Sequence, residues 1–111
     1  MKLPNGDRAV VTDEKLLRYV LNPLHPVGGP HARLFDRLLG INLACADVLR
    51  DALLCAARDQ EAMPGKSSVF GQKFEVRFTL SGPRGSYNVL SVWMIKTGTE
   101  LPQLVTAYVA K

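Results

Sequence analysis

Both histidines of the chain, His25 and His31, stand in one stretch, NPLHPVGGPHARLF, from Asn22 to Phe35, together with three prolines, two glycines and Arg33. Imidazole, with an ordinary pKa of about 6.5, exchanges protons near neutral pH. It can take the proton of a ribose 2′-hydroxyl as that oxygen attacks its own phosphate, chemistry that needs no metal or organic cofactor. A helix opening at Gly28-Gly29-Pro30 would leave backbone N–H groups unpaired at the positive end of its dipole. That is an anion site, with His31 and Arg33 in the first turn to supplement it.

The same residues also read as architecture, because a Pro- and Gly-rich connection between two helices needs no chemistry of its own. His25 would then fix the loop through a backbone hydrogen bond, and His31, Arg33 and Arg37 would lie on a solvated surface. Trp93 would be core or interface, and Thr106 and Tyr108 ordinary strand residues. Residue types alone leave both readings open.

The elements that would carry these residues follow from periodicity. Asp7 to Val11 reads as a short strand or extended arm, and Thr12 as the N-cap of a helix through Leu21 with Leu16, Leu17, Val20 and Leu21 as its buried stripe. Asn22-Pro23 stops it. A second helix with Pro30 at its start runs to Gly40, burying Leu34, Phe35, Leu38 and Leu39. A third, about Ala44 to Arg58, has Val48, Leu49, Ala52, Leu53, Cys55 and Ala56 as its apolar set. The stretch QEAMPGKSSVFG then reads as a polar, turn-rich loop.

From Gln72 the period falls to two, with Phe74, Val76, Phe78 and Leu80 alternating with Lys73, Glu75, Arg77 and Thr79. Turns at 81–86 and 97–102 lead to strands Tyr87 to Lys96 and Gln103 to Ala110. The expected fold is α+β: about three N-terminal helices packed on one face of a C-terminal antiparallel sheet of three to four strands. Placing Leu90, Val92 and Met94 under the helices would leave Glu75, Arg77, Thr79, Trp93, Thr106 and Tyr108 sharing the open face, with Leu104 beside them.

At 111 residues the chain reads as one domain, able to bury roughly 60–70% of its unfolded surface. Its formal charge of +4 and pI near 9.3 permit a polyanionic partner without demanding one. No apolar run approaches the ~18 residues of a membrane span. Pro4, Asn5 and Asp7 stand where a signal peptide would carry its apolar segment, so the chain is expected in the cytoplasm, away from membranes. Cys45 and Cys55 lie in one helical run about 15 Å apart along its axis, too far for a disulfide, and are expected as buried thiols. No metal-ligand spacing such as CxxC or HxxxH occurs, and no cofactor is expected.

The block LNPLHPVGGPHARLF, with MKLPNGDRAVV before it and FGQKFEV, LSGPRGS, VWMI and LVTAYV after it, resembles a family of small bacterial proteins whose domain has no assigned function. The resemblance covers nearly the whole chain. That family looks like the ribonuclease toxin domains of bacterial polymorphic and contact-dependent inhibition toxins, which share the barnase, EndoU, colicin and RelE-like fold. The resemblance implies a metal-independent endoribonuclease in which His25 is acid or base, Arg33 neutralises phosphate charge, and Thr106 and Tyr108 hold phosphate oxygens. RNA binding falls to His31, Arg77, Trp93 and Lys96, with Trp93 stacking a base and His31, where relatives carry a long basic residue, available as a second acid or base. An antitoxin or immunity protein is the partner such a toxin would need. The rival expectations are a binding module that holds a nucleic acid or protein without cleaving it, and an interaction subunit that uses the open sheet face as an oligomer interface.

Overall fold

Thr12 sets the start of the first helix. In a computed structural model that describes residues 1–110, its hydroxyl accepts the Lys15 N–H at 3.1 Å, satisfying a donor the first turn would otherwise leave open. Helix α1 runs through Asp13–Lys15 and widens over Leu16–Val20, where the Leu21 N–H reaches back five residues to the Leu16 carbonyl at 3.0 Å. Leu16, Val20 and Leu21 are buried, but Leu17 is exposed. The wide turn departs from the 3.6-residue period and carries Leu17 off the expected stripe. Asn22 closes α1, donating from Nδ2 to the Arg18 carbonyl and accepting the Leu24 N–H on Oδ1.

Helix α2 runs through Gly29–Leu34 and continues over Phe35–Leu39. It ends where Gly40 turns left-handed, φ 73°, so that the N–H groups of Gly40 and Ile41 cap the carbonyls of Asp36 and Phe35. Asn42 then caps a short turn, Leu43–Cys45, that leads into α3, Ala46–Asp59. Leu49, Leu53, Ala56 and Ala57 form the buried face of α3, whereas Val48 and Cys55 lie on its exposed flanks. Both cysteines are free as expected, but the expectation of buried thiols is corrected: Cys55 is exposed and Cys45 half-buried.

Four antiparallel strands follow in sheet order β1 (Ala62–Ser68), β2 (Gly71–Gly82), β3 (Gly85–Lys96) and β4 (Gln103–Val109). β1 replaces the loop expected there. It is an edge strand whose only buried residue is Ala62, so it shows no alternation, and its Pro64 is tolerated because the outer edge needs no N–H. β2 buries Phe74, Val76, Phe78 and Leu80 as its alternation requires.

β3 faces the opposite way from expectation. Its register pairs Phe74 with Trp93, Val76 with Ser91 and Phe78 with Val89, which turns Val89, Ser91 and Trp93 toward the helices and Leu90, Val92 and Met94 outward. Trp93 is therefore fully buried, its indole N–H donating to Ser91 Oγ at 2.9 Å while that hydroxyl donates to the Val76 carbonyl at 2.8 Å. Both faces of β3 are apolar, so period two carries no signal for its orientation. In β4 the pairing steps from Val92 with Thr106 to Trp93 with Leu104, leaving Val105 as an extra residue. That bulge turns Leu104 inward beside Ala107 and Val109, not outward as expected.

The expected arm before α1 is part turn, Gly6–Arg8, and part strand, with Val10 exchanging hydrogen bonds with Pro102 and Leu104 alongside β4. The fold is thus α+β: three N-terminal helices pack on one face of the sheet around Trp93, Phe35, Leu16, Leu49 and Leu53, and the other face is open. Among the described residues no helix is long and apolar enough to cross a membrane.

Candidate functional site

His25 is held by its own loop. Its Nδ1 accepts the N–H groups of both Val27 and Gly28 at 3.0 Å, and its carbonyl accepts that of Gly29 at 2.9 Å. The ring therefore acts as the cap of the α2 entry, a role usually filled by Asn or Asp. Two consequences follow. The expected set of unpaired N–H groups is mostly spent, because Pro30 has none and its three predecessors are bonded to His25. The Nδ1 lone pair is also committed, to both backbone donors. The imidazole meets the edge of Tyr19 at 4.7 Å and borders a hollow of about 360 Å³ shared with Thr12, Glu14, Lys15 and Arg18. That places it against α1, away from the open face.

Truncating His25 to Ala leaves the Val27 and Gly28 N–H groups without their acceptor, and Gly28 is buried. The expected cost is about 1–2 kcal/mol. His25→Asn, with an oxygen able to take the same donors, is expected to recover most of it. Thermal melts of the two variants check this, and equal melting points for His25→Ala and the parent would remove the capping role.

Arg33 is also drawn into the loop, its guanidinium donating to the Pro23 carbonyl at 2.6 Å. Of the residues assigned from the sequence to one site, His25 borders the hollow beside α1 and Arg33 borders another with Asp36 and Arg84. Trp93, assigned to base stacking, is in the core, and no ligand reaches it without unfolding the sheet.

The remaining residues gather on and beside the open face. Cross-strand rows place Arg77, Leu90 and Tyr108 in one line and Glu75, Val92 and Thr106 in the next. Arg77 and Tyr108 are about 10 Å apart at their Cα atoms, two strand spacings, and flank the buried Leu90 between them. His31, in the first turn of α2, lies against Tyr108 at the β4 edge with ring centroids 4.9 Å apart and planes tilted 30°. Among the described residues neither nitrogen of His31 has a hydrogen-bond partner, in contrast to His25. Lys96 stands at the far end of β3, opposite Gly71, and with Lys73 adds positive charge to that end of the face.

The structure thus joins His31 to Tyr108, Thr106 and Arg77, which the sequence already places on one face together with Glu75, a residue given no role there. The imidazole can exchange a proton, the two hydroxyls can donate to phosphate oxygens, and the guanidinium can pair with their charge. Among the described residues no three His, Cys, Asp or Glu side chains group closely enough to hold a metal ion.

Comparison with known proteins finds one family model, described as Domain of unknown function (DUF6883), that matches residues 2–111. No curated protein and no solved structure is similar enough to match.

Proposed function

The chain belongs to the DUF6883 family, and we propose that it is a metal-independent endoribonuclease of the toxin kind, acting in the cytoplasm, with His31 rather than His25 as its proton-transfer group. The observation that carries this reading is the free imidazole of His31 stacked on Tyr108 at the rim of an open sheet face that also bears Arg77 and Thr106. His31 takes the proton of the 2′-hydroxyl, the 2′ oxygen bonds to phosphorus, and the bond from phosphorus to the 5′ oxygen breaks. The products are a 2′,3′-cyclic phosphate and a 5′-hydroxyl whose proton comes from solvent, which the open face admits. Arg77 offsets the charge that grows on the phosphate, and Thr106 and Tyr108 donate hydrogen bonds to its oxygens.

Single-stranded RNA incubated with the purified chain in EDTA is expected to yield fragments ending in 2′,3′-cyclic phosphate. The same strand carrying 2′-O-methyl groups throughout is expected to stay whole. Cleavage of the methylated strand would rule out 2′-hydroxyl attack.

A second reading has its own observation. The outward residues of β3, the buried Leu90 and the half-buried Val92 and Met94, form an apolar row across the open face, opposite Arg77, Glu75 and Lys73 in turn. A neutralising antitoxin with an apolar strip and charges opposite in sign to these three would fit that row and cover the site. In a non-catalytic binding module the same face would hold its partner without cleaving anything.

A further inference from the structure

We propose that the cleft between α2 and the β2–β3 turn is a second phosphate site, which takes the phosphodiester chain of a single-stranded RNA beyond the His31 and Tyr108 edge. The proposal rests on the ribonuclease reading for the identity of the chain. The cleft itself is built independently of it.

Pro30, Arg33, Leu34 and Arg37 recur at the spacing of one helix face. They line a hollow of about 560 Å³ with Asp36 and with Arg84 from the β2–β3 turn. Two close approaches bring Arg84 there. A Cβ on Gly82 would lie 2.1 Å from the Leu39 carbonyl oxygen, so only glycine lets the hairpin dock on the end of α2. The Arg84 N–H donates to that same carbonyl at 3.2 Å. Gly40, left-handed at φ 73°, clears the path for the Arg84 stem, since a Cβ there would stand 2.9 Å from its Cγ. The turn and the helix end are shaped to bring this guanidinium beside Arg37.

Three guanidinium groups thus face one carboxylate. Asp36 accepts the Asn42 side-chain amide at 3.1 Å, and among the described residues neither Arg37 nor Arg84 forms an ion pair. Arg33 uses one nitrogen on Pro23 and keeps the rest of its fork. Guanidinium forks match phosphate oxygens in pairs, and gathering like charges is favourable where an anion lies among them. Pro30, at one rim of the cleft, is the neighbour of His31, so a strand leaving the proposed cleavage site has the cleft next to it.

The test is the affinity of a fluorescent single-stranded 2′-O-methyl oligoribonucleotide, which binds without being cut, followed by anisotropy across a salt series. The parent, Arg37→Gln/Arg84→Gln and Arg37→Glu/Arg84→Glu are compared, all with exposed substitutions that leave the core untouched. The expected result is a loss of affinity of at least roughly tenfold in the Glu pair. In the Gln pair the logarithmic salt slope is expected to shrink by about 1.4, the release from two phosphates of a single strand. Millimolar inorganic phosphate is expected not to displace the oligonucleotide, and displacement would overturn a site for a chain. Unchanged affinity and slope in both pairs overturn the cleft even if the parent cuts RNA. A lowered slope in a protein that never cuts RNA sustains the cleft and overturns the ribonuclease reading instead.

Discussion

His31→Ala is expected to lower the rate of RNA cleavage by about 10²–10⁴-fold, the contribution of a positioned proton-transfer group, while the fold persists. The ring is half-buried and stacks on one aromatic neighbour, so its removal costs on the order of 1 kcal/mol. Tyr108→Phe separates the two functions of that neighbour, since it keeps the stack and loses the hydroxyl. It is expected to reduce cleavage less than His31→Ala and to leave the melting temperature nearly unchanged. Single-turnover rates with a short RNA measure both. Full activity in His31→Ala would place the proton transfer elsewhere and return attention to Glu75, the other acid or base on the same face.

The largest effect on stability is expected at Trp93. It is fully buried, it pairs across the sheet with Phe74, and its indole N–H ends a buried chain through Ser91 to the Val76 carbonyl. Trp93→Ala removes that volume and leaves a cavity at the join of sheet and helices, a change that costs about 3–5 kcal/mol in comparable cores. Against a total of ~5–15 kcal/mol for a domain, that is a large share of the margin. A fall in melting temperature on the order of 10–20 °C is expected. Ser91→Ala strands the buried indole donor, and should cost about 1–3 kcal/mol. The double variant is expected to fall short of the sum, because one partner's loss already voids the shared bond. Thermal unfolding followed by circular dichroism decides it, and a Trp93→Ala protein melting within ~2 °C of the parent would contradict the buried position.

How much of this was legible depended on whether a local signal existed. Thr12 and Gly40 mark helix ends by chemistry that acts over three or four residues, and both function as their types predict. β2 alternates because one of its faces is wet. β1 could not be read, since an edge strand with a single buried residue has no period, and Pro64 and Gly65 look like a turn. β3 was read with its faces exchanged because Val89, Trp93 and Ile95 are as apolar as Leu90, Val92 and Met94. Only its pairing with β2, a tertiary fact, orients it. The bulge at Val105 belongs to the register between two strands, which neither strand encodes alone.

The site follows the same division. The sequence singles out the stretch Asn22 to Phe35, where it gives His25 the acid–base role and His31 a supplementary one. What separates them is geometry: His25 spends its acceptor on its own loop, and His31 meets Tyr108 across the β4 edge. A histidine between prolines, two and three residues ahead of free N–H groups, is a signal for a cap that residue type alone obscures. Arg77 was placed on the correct face because β2 alternates cleanly, and Thr106 and Tyr108 because the bulge lies before them.

In the proposed reading this face cuts RNA through His31. Its most direct test is tightly controlled expression in a bacterial host of the parent, His31→Ala and His25→Asn at matched soluble levels, with total RNA resolved on a gel. Growth arrest and fragmented RNA are expected for the parent and for His25→Asn, and normal growth with intact RNA for His31→Ala. Intact RNA in cells expressing the parent, or fragmentation that persists in His31→Ala, would contradict that reading.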